Sequence, residues 1–250
     1  TLTNPLTGAL CSEGIIPANE LPAFGRRVLN ELPLPNRPGF ANNYESLPRA
    51  TQNDDKGDIK VDYYLNSRLN VFGRYSHRVA NAFEEASLPT PSGGSSNGFV
   101  SELNRQMVFG GTYTLSPQSL LDVRFGASRS KGGRRPIDIG RGNMLSLYGI
   151  SGLTEDPEYA GGLNTQNIGG YTSLGRQASN PQFQNPSVYN PKVNYSRFLG
   201  RLSIKTGYEY QRIHTEIQDF TPQYGRDSYS GQFSRPTTAA ANSVYNIADF

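Results

Sequence analysis

Residues 201–236 read RLSIKTGYEYQRIHTEIQDFTPQYGRDSYSGQFSRP, and two alternating runs lie inside this stretch. From Leu202 one face carries Leu202, Ile204, Thr206, Tyr208 and Tyr210; the other carries Ser203, Lys205, Gly207, Glu209 and Gln211. Alternation with period two predicts an extended strand with one apolar and one polar side. A polar turn at Gln223–Asp227 leads to a second run, with Tyr229, Gly231 and Phe233 opposite Ser230, Gln232 and Ser234. In a soluble sheet the apolar side covers a core. In an outer-membrane barrel it meets lipid, and a side bearing Lys and Glu lines the lumen. The medium that the apolar side meets decides the fold.

The same design recurs upstream. Ile59, Val61, Tyr63 and Leu65 alternate with Asp58, Lys60, Asp62 and Tyr64. After a turn at Asn66–Arg68, Leu69, Val71, Gly73 and Tyr75 alternate with Asn70, Phe72, Arg74 and Ser76. A second hairpin sets Met107, Phe109, Gly111, Tyr113 and Leu115 before a Ser116-Pro117-Gln118 turn, then Leu121, Val123, Phe125 and Ala127. A third runs from Lys192 to Phe198 and returns through the opening stretch. Ser243–Phe250 reads as the start of one more strand, so the predicted hairpins are 58–77, 106–129, 192–212 and 227–250. Long polar connections at 80–105 and 130–191 separate the first three, and residues 1–53 read as an extended loop segment before a partial barrel at 54–250. Within that segment only Glu20–Leu32 has helical spacing, through Leu21, Phe24, Val28 and Leu32.

Tight turns thus alternate with long loops, and strands of about 8–11 residues suit a tilted bilayer crossing. Short turns on one side and long loops on the other are the asymmetry of outer-membrane barrels; a β-sandwich tends towards closer, regular turn signals. The predicted fold class is all-β: an antiparallel meander of hairpins, part of a large transmembrane β-barrel, with long outer loops. Composition agrees. Mean hydropathy is −0.57, with 27 Gly and 17 Pro among 250 residues. No apolar run is long enough for a membrane-spanning helix. The net charge of +3, from 24 basic and 21 acidic residues, is too balanced to argue for nucleic acid. The single Cys11 excludes an internal disulfide and a four-thiolate metal site.

Chemical motifs are weak. Gly94-Ser95-Ser96-Asn97-Gly98 matches a hydrolase elbow string but lacks the strand before it and the helix after it. His77 and His214 stand at predicted strand ends without a second ligand at metal spacing, and read as surface residues. Acidic clusters at Asp54-Asp55-Gly57-Asp58 and Glu155-Asp156-Glu158 lack the spacing of an EF-hand loop and read as solvated loops. No catalytic residue, cofactor or metal site is expected, and the chain is not read as an enzyme. Arg74, Asp122, Arg124, Lys205 and Glu209 fall on polar faces and are candidates to line the lumen. Arg124, Arg129, Lys131, Arg134 and Arg135 form the main basic cluster, across the end of a strand and the start of the longest loop; at an outer barrel end Arg129, Lys131, Arg134 and Arg135 could meet lipopolysaccharide phosphates, against the plainer reading of a basic loop.

Several words of the sequence add to the pattern. Asn4-Pro5-Leu6-Thr7-Gly8, Ile15-Ile16-Pro17 and Leu32-Pro33-Leu34-Pro35-Asn36 resemble a loop of Oar-like TonB-dependent receptors of Gram-negative bacteria. Asp58–Asp62 with Phe72-Gly73-Arg74-Tyr75-Ser76 resembles that family's next hairpin. Leu202–Gln211, Tyr224-Gly225 and Tyr229-Ser230-Gly231-Gln232-Phe233 resemble a later one, and Tyr245-Asn246-Ile247-Ala248-Asp249-Phe250 an internal segment. The resemblance implies a large outer-membrane barrel closed by a plug and energised through TonB, with this chain an internal segment of its wall. The partners it implies are outer-membrane lipid and lipopolysaccharide, the plug domain and TonB. The function expected is substrate uptake; the alternative is a β-rich outer-membrane or secreted adhesion protein.

Overall fold

The computed structural model describes residues 1–11, 13–89, 93 and 98–250. The hydrolase-like string at 94–98 therefore lies, but for its last glycine, outside the described residues. In chain order the elements are β1 (Leu2–Thr3), β2 (Leu10–Cys11), α1 (Ala23–Asn30), β3 (Ala50–Asn66), β4 (Leu69–Glu84), β5 (Gly98–Ser116), β6 (Ser119–Arg135), α2 (Met144–Tyr148), β7 (Thr165–Ile168), β8 (Gln182–Leu199), β9 (Leu202–Glu209), β10 (Arg212–Gln218), β11 (Arg226–Tyr229) and α3 (Ser243–Ala248).

β3, β4, β5, β6 and β8 form an antiparallel meander, and β9 and β10 both pair with β8 at its far edge. These last two are one strand in effect. Leu199↔Leu202, Lys192↔Glu209, Tyr189↔Arg212 and Phe183↔Gln218 follow one unbroken register. The gap at Tyr210-Gln211 falls opposite Pro191, which has no N–H to give to the ladder. Tyr210 N still donates to Pro191 O at 3.0 Å, and Asn190 Nδ2 replaces the missing donor by bonding to Tyr210 O at 3.1 Å.

The strands are longer than the alternation predicted. β3 has 17 residues and β5 has 19, against the 9–11 that a tilted strand needs to cross a bilayer. At about 3.3 Å per residue, 17 residues reach about 56 Å, well past the hydrocarbon layer. Tight turns join β3 to β4, β5 to β6 and β8 to β9 at one end. The Asn66 side chain accepts from Arg68 N at 2.8 Å and Leu69 N at 3.0 Å, closing the first. At the other end lie the connections 85–97 and 136–181.

The long connection and the last predicted hairpin are ordered differently. Residues 136–181 with α1 and residues 219–250 build a small cap beyond the strands. Its core is Val28, Met144, Tyr148, Ala160, Leu163, Ile168, Leu174, Tyr224 and Phe250, with Phe24, Leu32 and Leu88 against it. The helical spacing of Phe24, Val28 and Leu32 thus packs into the cap, while Leu21 stays exposed. The hairpin expected at 227–250 does not form. β11 pairs in parallel with β7, and the last segment is the helix α3, whose first turn is capped by Asn242 Oδ1 accepting from Val244 N at 3.1 Å. Asp249 accepts from Ser234 N at 2.8 Å, and Phe250 packs on Phe24 and Tyr229 at 5.7 and 5.1 Å between ring centres. These contacts turn the chain back where a strand was expected, and Tyr229 and Phe233 end in different environments: one packs against the cap core, the other is open.

Candidate functional site

The register sorts the sheet into two faces. One carries rows of apolar residues: Ile59–Tyr75–Met107–Ala127–Tyr189, Val61–Gly73–Phe109–Phe125–Pro191 and Tyr63–Val71–Gly111–Val123–Val193–Tyr208. Below these, Leu69–Tyr113–Leu121–Tyr195 borders the tight turns. Tyrosines fringe the band at both ends, Tyr75 and Tyr189 towards the long connections and Tyr113 and Tyr195 towards the turns. From Tyr75 to Leu69 is about 20 Å along the strand. Nothing in the described chain covers this face: Tyr208 is 68% exposed, Val61 61% and Phe109 57%. Apolar surface this continuous marks a site of contact with another apolar phase.

The opposite face is polar and internally paired. Arg78 bridges Asp54 on β3 and Glu102 on β5 at 2.6 and 3.1 Å. Arg74 meets Asp58 at 2.9 Å, Arg124 meets Asp122 at 3.0 Å, and Lys192 meets Glu209 at 3.0 Å. Asp122 also accepts from the Thr112 hydroxyl at 3.3 Å, and Glu209 from Asn190 Nδ2 at 3.0 Å. Lys60 bonds Asp62 at 2.9 Å and lies 5.2 Å from the centre of the Phe72 ring. Each such pair contributes little alone; the ion pairs cross the β3–β4, β4–β5 and β8–β9 junctions, and Thr112 and Asn194 reach Asp122 across β5–β6 and β6–β8.

The structure brings Arg74, Asp122, Arg124, Lys205 and Glu209 onto this one face. The basic cluster is divided. Arg129, Lys131 and Arg135 share the face of Val123 and Phe125, whereas Arg134 points the other way, with Glu102, Gln182 and Gln184 around a cleft of about 420 Å³. Read as spanning a strand end and the start of the long loop, these four cations all lie within β6, and alternation separates them. His77 and His214 lie within β4 and β10 rather than at their ends. Asp54, Asp55 and Asp58 belong to β3 rather than to a loop. Arg78, Glu102 and Lys192 were not singled out in the sequence. Carrying the alternation past Ser76 to Ala82 would have put Arg78 on the Arg74 face.

The cap holds a polar interior of its own. Asn164 Nδ2 donates to Asp227 Oδ2 at 2.9 Å, Gln166 Nε2 to the same oxygen at 2.7 Å, and the Tyr229 hydroxyl to Gln166 Oε1 at 2.8 Å. This network ties β7 to β11. Arg176 is buried, with its guanidinium 4.0 Å from the centre of the Tyr224 ring and Nη1 donating to Gly161 O at 3.4 Å. Burial pushes its pKa down to about 10. Burial, with a hydrogen bond to Glu31 at 2.8 Å, pushes the Tyr148 phenol up. Burial likewise raises the Asp138 carboxyl, against the pull of Arg141 and Arg176.

The model of a protein family described as "Outer membrane beta barrel domain" matches residues 1–250. No curated protein and no solved structure matches the chain.

Proposed function

The chain belongs to the outer-membrane β-barrel domain family, and from that premise we propose that it forms part of the wall of a TonB-dependent outer-membrane transporter. Its place is the outer membrane, where lipid covers the rows from Val61 to Tyr208 that no part of the described chain covers. In this reading the face of Arg74, Asp122, Arg124, Lys205 and Glu209 lines the lumen, and the long connections with the cap stand outside the cell.

One observation carries the transport reading: the polar face is a broad open wall of paired charges. The strand order runs from β3 at one edge to β9 and β10 at the other, and these edges do not meet. Small barrels fill their interior with their own side chains. Here Arg74 and Asp58 remain about half exposed within their ion pair, which suits a wide lumen holding water or a plug. The plug would dock on these charges. Substrate would pass when the plug rearranges, pulled through TonB, with no covalent step. Siderophores, glycans and peptides are the substrate classes to test.

The test is genetic and uses the whole protein in its own cell. Deleting its gene should impair growth on one scarce nutrient from that panel. Deleting TonB should give the same defect, and the double deletion should add nothing. Unimpaired uptake of every nutrient, together with loss of cell attachment to surfaces, would instead establish an adhesion protein with the same outer-membrane wall.

A further inference from the structure

On the polar face Lys60, Arg74, Arg78, Arg124 and Lys192 each reach a carboxylate within 3.1 Å, and among the described residues Lys56, Arg134 and Lys205 do not. On the apolar face Arg105, Arg129, Lys131 and Arg212 have no carboxylate partner among the described residues. These cations are also aligned. The register sets His77, Arg105, Arg129, Ser187 and His214 in one row across five strands, with Lys131 two residues further along β6 and Arg212 two residues back along β10. The row lies immediately beyond Tyr75, Met107, Ala127 and Tyr189, on the side of the long connections. Arg105, Arg129, Lys131, Arg212 and His214 are all exposed. The carboxylates on this face, Asp55 and Glu216, stand one row further out, on β3 and β10 at the two edges of the sheet.

Cations at that depth sit where hydrocarbon gives way to headgroups. Adjacent strands are about 4.8 Å apart, so Arg105 and Arg129 can grip one phosphate from two sides. Guanidinium forks suit this task, because each offers paired donors to phosphate oxygens.

We propose that Arg105, Arg129 and Lys131, flanked by Arg212 and His214, form a binding site on the barrel's outer wall for the phosphorylated headgroup of an outer-leaflet glycolipid of the lipopolysaccharide type. The acyl chains then lie along Phe109, Phe125 and Val193, below Tyr75 and Tyr189. The site rests on the reading that the long connections face outwards, and it is independent of what the lumen carries.

The experiment uses the whole barrel protein, purified in detergent and titrated with lipopolysaccharide, enzymatically dephosphorylated lipopolysaccharide and inorganic phosphate. The parent protein should bind intact lipopolysaccharide at least tenfold more tightly than the dephosphorylated form and should not respond to inorganic phosphate. The triple variant Arg105→Ala/Arg129→Ala/Lys131→Ala should lose that tenfold preference, while Arg134→Gln on the opposite face keeps it. Equal binding by parent and triple variant overturns the site, as does equal binding of both glycolipids. Orientation is read separately. With Cys11→Ser as background, Gln118→Cys in a tight turn should react with a membrane-impermeant maleimide only after cell lysis. Labelling on intact cells would overturn the orientation, and the site with it; a lysis-dependent label with no phosphate preference overturns the site alone.

Discussion

The long strands and the cap at their end are made of the same apolar residues and use them in opposite ways. Val61, Phe109 and Tyr208 on the strands are more than half exposed, whereas Val28, Met144, Leu163 and Ile168 in the cap are sealed from water. Polar groups follow suit. On the strands, carboxylates and cations pair in the open across neighbouring strands. In the cap, Asn164, Gln166, Asp227 and Tyr229 bond to one another inside. The strands therefore depend on an outside phase to cover their apolar side, while the cap excludes water by its own packing. One chain holds a membrane wall and a small water-soluble core, joined at the ends of the strands.

The largest expected effect tests whether the cap is a folding unit of its own. Leu163 is 1% exposed, and Leu163→Ala should destabilise the cap by about 2–5 kcal/mol. Hydrogen exchange on the whole protein should show faster exchange over residues 136–181, with the strands from Ala50 to Arg135 still protected. If the strands lost protection equally, the two regions would be one cooperative unit and the contrast would fail.

Next comes the wall. Val123→Arg, in the middle of the apolar band, should cost about 2–4 kcal/mol if that row lies near the bilayer midplane. Tyr208→Arg should behave alike. Thr112→Arg, on the face of Asp122, should be milder. The measurement is urea unfolding of the protein from lipid vesicles. Equal tolerance on both faces would mean that the facing read from the register is wrong.

How far the sequence could be read follows the same division. In a sheet, the face of a residue is decided by its neighbours two positions away, so the alternation of Ile59 to Tyr63 or Val123 to Ala127 was enough to assign it. The reading stopped where the alternation changes sense. At Arg212 the outer face becomes Arg212, His214 and Glu216 and the inner face Ile213, Thr215 and Ile217, with the register unbroken. The strand leaves the apolar layer there, and a pattern search takes that for its end. Lys131 went unrecognised as a strand residue for the same reason. The cap was illegible for a different one. Leu163 packs with Val28 and Phe250, partners far apart in the chain, and no periodicity records such contacts. Of the site, the lumen candidates came from parity alone; Arg78 and Lys192 needed the pairing of strands, and Arg105 needed the true start of β5.

A smaller effect probes local order in the cap. The Asn143 side chain accepts from Ser146 N at 2.8 Å and the Ser146 hydroxyl accepts from Asn143 N at 2.9 Å, a reciprocal cap on a five-residue helix. Asn143→Ala should cost the cap about 1 kcal/mol. The readout is hydrogen exchange at residues 144–150, and the strands should not respond. A loss spread evenly over strands and cap would blur the division that Leu163→Ala is designed to show.

The smallest effect is one of pH, and its sign is informative. Burial holds the Asp138 carboxyl above its ordinary value of 3.8, against the pull of Arg141 and Arg176. Below the ordinary value both folded and unfolded chains carry the proton, so burial costs nothing extra. As pH rises through the interval up to the raised value, the unfolded chain releases its proton first and the cap loses stability; above it the loss is constant. Asp138→Asn should remove this slope. Because Arg141 and Arg176 offset part of the effect of burial, the change should be smaller than that of the Asn143 variant. The measurement is the difference in cap hydrogen exchange between parent and Asp138→Asn from pH 3 to pH 7. A parent cap that gained stability relative to the variant on passing upward through that range would mean that the pull of Arg141 and Arg176 outweighs burial, and that the cap interior is wetter than its packing implies.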